Sequence, residues 1–160
     1  MTVPAAGGRR APAFICRAAL GVMALGALVL GVWALGAPAS FYDSFPGFGR
    51  FWVSVDGPYN EHLVRDVGSL NLALFTVTGA AFVLVGNRAL VLTAAAANAA
   101  FAVPHLLYHF GHRHDLVAPG DQVGELASLL LVVVAAAVAA LTATTAASGG
   151  RALADRVDVV

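Results

Sequence analysis

The chain has 160 residues, 59% hydrophobic and only 11% charged, with a formal net charge of zero. Soluble domains carry roughly a quarter charged residues, so this composition argues against one, and the lack of net positive charge leaves no basic surface for nucleic acid. The length suits a single domain. Every basic residue is arginine, and Cys16 is the lone cysteine. An internal disulfide and a CxxC metal ribbon are therefore excluded. Cys16 reads most simply as a small apolar residue at a helix start, with lipidation as a minor alternative.

Residues 1–17 form an N-terminal tail of Pro, Ala and Gly with Arg9, Arg10 and Arg17. Residues 18–42 carry no charge, more than the roughly 20 residues a spanning helix requires. The first helix is expected over about 15–37. A signal peptide competes with this reading, because Ala37-Pro38-Ala39 resembles a small-residue cleavage site that would remove residues 1–39. Its apolar core would exceed the about 7–15 residues of a signal peptide, so a retained helix is favoured.

Residues 38–60 break the apolar pattern with Pro38, Pro46, Gly47, Gly49, Gly57 and Pro58, and hold half of the aromatic residues. Aromatic rings tolerate the half-wet headgroup region. The segment reads as an interfacial loop or short helix, and more sharply as a lid over a polar site. Further uncharged runs follow at 67–87, 89–112 and 126–150. They predict helices over about 60–86, 88–112 and 121–147, with Asp121 capping the last. Residues 151–160 read as a frayed helix or C-terminal tail. The fold class expected is all-α, an integral membrane bundle of four transmembrane helices spanning 18–150.

With four spans, Arg9, Arg10, Arg17, Arg88, Arg151 and Arg156 share one side and Arg50, Arg65 and Arg113 the other. This excess favours a multi-pass protein of the bacterial cytoplasmic membrane with both termini cytoplasmic. It places every histidine on the outer side.

Four of the five histidines fall within Pro104-His105-Leu106-Leu107-Tyr108-His109-Phe110-Gly111-His112-Arg113-His114-Asp115. At 100° per residue His105, His109 and His112 share a helix face, His62 and Asp66 share another, and Asp121, Glu125 and Ser128 a third. Ionisable groups within spans are costly unless they face one another or water, which makes them functional candidates. Imidazoles and carboxylates on facing helices suit a transition metal, Zn, Cu or Fe. The candidate ligands are His62, Asp66, His105, His109 and Glu125. Two readings compete with a metal site. His105 and His109 could instead be satisfied by hydrogen bonds to Asp66 or Glu125, a helix-tying network in a structural or accessory subunit. His62 with His105 or His109 could bind haem, or the cluster a quinone headgroup. Glu61 and Arg65, four apart in the favourable order, read as a structural ion pair. Asn71 and Asn98 read as mid-membrane hydrogen-bonding groups, and Pro104 as a bend in the third helix.

No GxSxG, P-loop or Rossmann pattern is present, so enzyme chemistry of those kinds has no support. Lipid is the expected surrounding, and a homo-oligomer or a membrane-complex partner is compatible with so small a bundle.

At Tyr59-Asn60-Glu61-His62-Leu63-Val64-Arg65-Asp66-Val67-Gly68 and Pro104-His105-Leu106-Leu107-Tyr108-His109 the chain resembles a group of small four-helix membrane proteins from high-GC bacteria. In layout it is similar to the DoxX-like membrane proteins. The first resemblance implies the four-span fold and no agreed activity. The second implies quinone or sulfur redox chemistry, without a motif that can be matched residue by residue.

Overall fold

The computed structural model describes the backbone of residues 10–157 and the side chains of residues 12–143. Residues 1–9 and 158–160 lie outside the described residues, as do the side chains of Arg9, Arg10, Arg151 and Arg156 used above for orientation.

The described chain is mostly helical. Its long helices are α1 (Arg10–Gly36), α3 (Glu61–Val83), α4 (Arg88–His112) and α5 (Pro119–Val157), with a short α2 (Pro38–Ser44) after the first. Four stretches, Pro12–Gly36, Glu61–Val83, Arg88–Asp115 and Pro119–Ala143, are long and apolar enough to cross a membrane. At 1.5 Å per residue each exceeds the roughly 30 Å hydrocarbon core. Helix α5 continues to Val157, through most of the segment read as a frayed helix or tail. Helix α3 ends at Val83, before the predicted 86.

Local chemistry sets the helix starts. Asn60 Oδ1 accepts from the Leu63 amide at 3.2 Å, and Asn87 Oδ1 accepts from the Leu90 amide at 3.1 Å. Each satisfies an amide that the first turn leaves without an intrahelical partner. Pro104 lies inside α4, which runs unbroken past it to His112.

Helix α1 packs against α3 and α5, and α4 against α5, whereas α3 and α4 touch more sparsely. An alanine-rich core joins α1, α4 and α5 through Leu20, Met23, Val91, Ala94, Ala136 and Ala139. Small side chains let these helices approach closely. Cys16 is buried in this core, its Sγ 3.8 Å from the Ala139 carbonyl. The outward faces carry large apolar groups such as Phe14, Leu25, Leu107, Phe110, Leu130 and Leu141.

Gly68 lies at a close approach of α1 and α3. A Cβ there would lie 2.8 Å from Leu35 Cγ and 3.0 Å from the Leu35 backbone nitrogen. Backbone cannot yield as a side-chain tip can. Gly68→Ala is expected to cost about 1–3 kcal/mol by overpacking. At Gly26 a Cβ meets nothing within 4 Å, so Gly26→Ala should be neutral or stabilising because alanine favours helix. Unfolding midpoints in detergent, compared between these two variants, check the packing.

Midway along the bundle, Asn98 Nδ2 donates to Thr78 Oγ1 at 2.8 Å and to the Ala94 carbonyl at 2.9 Å. This ties α4 to α3 as expected for Asn98. Asn71 instead donates to Val67 of its own helix at 2.9 Å.

Candidate functional site

Between Gly36 and Glu61 the chain folds into a cap over one end of the bundle. Helix α2 is followed by a short antiparallel hairpin, β1 (Pro46–Gly47) and β2 (Arg50–Phe51). Gly47, Phe48 and Gly49 form its tip with φ of 99°, 58° and 73°, a left-handed run that glycine adopts without steric cost and phenylalanine does not. Aromatic rings build the body of the cap. Phe41 lies edge-on to Trp33 at 5.7 Å between centroids, Phe45 lies 5.0 Å from Phe41, and Trp52 lies edge-on to Phe45 at 6.0 Å. Such contacts add about 0.5–1.5 kcal/mol each beyond area burial.

Two contacts bind the cap to α5. Arg50 pairs with Asp121. Trp52 lies so close to Gly124 that a Cβ there would come within 3.1 Å of its ring. The Trp52 Nε1 is buried with no hydrogen-bond partner among the described residues, so apolar contact alone holds that ring. On the other flank Tyr42 donates its hydroxyl to the Gly57 carbonyl, and its ring packs on Tyr59 at 5.2 Å. Arg65 reaches across to the end of α1, donating to the Leu35 carbonyl at 2.7 Å.

Beneath this cap lies a cavity of about 430 Å³. The cap contributes Phe41, Tyr42, Val53 and Asp56, α3 contributes Leu63, Val64 and Val67, and α4 contributes His105 and His109. It therefore occupies the sparse seam between α3 and α4, on the lid side of the Asn98–Thr78 tie. A volume of this size falls within the range of small-molecule sites.

The polar wall is ordered from behind. His109 Nδ1 lies 2.9 Å from Glu125 Oε1, with the two side chains only 11% and 8% exposed. A buried imidazole N–H donating to a carboxylate satisfies both groups and fixes the ring. The His105 ring meets that of His109 edge-on at 4.7 Å and stacks on Phe101 at 5.1 Å. Its nitrogens make no hydrogen bond among the described residues, so they are available to whatever enters the cavity. Asp56 also lines the cavity and has no side-chain partner among the described residues. Asp56 is an exposed residue at the cavity mouth; partial desolvation by the neighbouring cap, and secondarily the Asp115 carboxylate, raises its pKa above the usual aspartate value, while His105 and His112 act in the opposite sense.

Of the five metal ligands expected from sequence, His105, His109 and Glu125 come together. His62 and Asp66 do not join them. They pair with each other at 3.4 Å, 88% and 61% exposed, and neither lines the cavity. No three His, Cys, Asp or Glu side chains among the described residues are grouped as a metal ion would require. The two-helix histidine pair needed for haem is likewise not assembled, because His62 faces outward. Glu61 and Arg65 form the expected ion pair at 2.8 Å. His112 bonds back to the Tyr108 carbonyl of its own helix at 2.9 Å. Sequence reasoning did not single out Asp56, Thr78 or the Arg50–Asp121 pair.

No family model, curated protein or solved structure matches the chain. The likeness to DoxX-like proteins thus rests on layout and carries no argument about the site.

Proposed function

We propose that this chain is an integral protein of the bacterial cytoplasmic membrane that binds a small, largely apolar molecule with a hydrogen-bonding head beneath its aromatic cap. Both termini are cytoplasmic, and the cavity lies toward the outer face. One observation carries the reading: a cavity of about 430 Å³ with mostly apolar walls that includes an imidazole, His105, without a hydrogen-bond partner among the described residues. Apolar walls supply affinity, and the few polar groups orient the guest. Outward-facing leucines and phenylalanines on all four spans suit lipid contact, and the arginine distribution supports the orientation.

Isothermal titration of 4-phenylbutan-1-ol into the protein in phosphatidylcholine nanodiscs tests this function. Empty nanodiscs correct for partitioning into lipid. One saturable site per chain is expected, weakened in His105→Phe. Partitioning identical to that of empty discs would overturn the reading. Orientation is tested separately with a reporter fused after Val160: cytoplasmic activity is expected, and periplasmic activity would contradict it.

A further inference from the structure

We propose that the molecule bound in the cavity is a lipophilic amine, its ammonium group held between Asp56 and His105 and its apolar body lying against Phe41, Tyr42 and Val67. This rests on the ligand-binding reading above and adds to it the sign of the ligand's charge.

The charge inventory around the cavity carries the inference. Asp56 is on its wall, and no arginine is among the described residues that line it. The arginines nearest this end are engaged elsewhere. Arg50 pairs with Asp121, Arg65 with Glu61 and the Leu35 carbonyl, and Arg113 with the Phe110 carbonyl and ring. An anionic guest would meet a carboxylate and no counter-charge, whereas a cationic one would pair with Asp56. Beside apolar walls such a charge-assisted hydrogen bond is stronger than a neutral one.

The remaining groups fit a cation as well. A protonated amine has several N–H donors, and a neutral His105 has one ring nitrogen that accepts. Phe41 and Tyr42 offer aromatic faces, which attract cations through the ring quadrupole. Tyr42 is fixed for this role, since its hydroxyl is engaged by Gly57. The Asp115 carboxylate lies within electrostatic range of Asp56 and adds negative potential, while His105 and His112 offset it only when protonated.

Acidification should therefore weaken amine binding. The raised pKa of Asp56 means that the counter-ion is lost as pH falls through a range above the ordinary aspartate value of about 3.9. Protonation of His105 removes its acceptor and adds repulsion, which acts in the same direction.

Three guests with one apolar body test the assignment: 4-phenylbutan-1-amine, 4-phenylbutan-1-ol and 4-phenylbutanoate, titrated into protein in phosphatidylcholine nanodiscs. The amine should bind about tenfold more tightly than the alcohol, equivalent to about 1.4 kcal/mol, and the acid most weakly. Asp56→Asn, a change in the cap outside the helices, should bring amine and alcohol within about threefold of each other. Equal affinities, a preference for the acid, or an amine preference that survives Asp56→Asn would overturn the amine assignment and leave the cavity reading standing. Failure of all three guests to bind would overturn both.

Discussion

Glu125→Leu and His109→Leu are each expected to destabilise the bundle substantially, and the double variant is expected to be more stable than His109→Leu alone. The pair lies at 2.9 Å and is almost wholly enclosed between α4 and α5. Removing Glu125 strands an imidazole N–H, at a cost of about 1–3 kcal/mol for an unsatisfied buried donor. Removing His109 strands a carboxyl group, which costs about 3–5 kcal/mol if it remains charged. Replacing both members with apolar groups removes the polar burden altogether, so the double variant should recover stability. Glu125→Gln keeps an acceptor and should be the mildest change. Unfolding midpoints in mixed micelles give the four values. Strictly additive losses would show that the two side chains do not act as a unit. The same pair is the best support for a helix-tying role, and it is compatible with ligand binding because it leaves His105 free.

Val67→Trp should abolish the guest site while sparing the fold. Val67 lines the cavity from α3, so an indole there would occupy space otherwise available to the guest. The expected loss of 4-phenylbutan-1-ol affinity is at least about tenfold. Leu70→Trp is the control, because Leu70 is exposed and absent from the cavity wall. It should bind like the unaltered protein. Equal binding by both variants would place the guest elsewhere.

Much of the fold was legible because four uncharged runs of spanning length leave few alternatives. The Glu61–Arg65 pair and the Asn98 hydrogen bond followed from helical spacing and from the cost of unpaired polar groups. His109–Glu125 was among the partners that spacing allowed. The facing of His62 was not legible. In a soluble helix the apolar stripe marks the interior, but here the inner and outer faces are both apolar. Hydropathy therefore could not tell whether the His62–Asp66 face turned inward. Gly68, Asn71 and Thr78 mark the inner face of α3 instead, and they do so by small size and polarity. Asp56 was hidden for another reason. Its place on the cavity wall depends on how the cap folds across the bundle, through the Arg50–Asp121 pair and the Trp52–Gly124 contact. Those contacts join residues far apart in sequence, and no local spacing announces them.

The most direct test of the central claim is to find where the guest sits. A diazirine-bearing 4-phenylbutan-1-ol, photolysed with the protein in nanodiscs, should label the first two turns of α3, around Leu63, Val64 and Val67, and the end of α4 around His105 and His109. Unlabelled alcohol should compete for those positions. Labelling confined to outward-facing residues such as Leu25, Leu130 and Leu141, unaffected by competitor, would contradict a guest site beneath the cap.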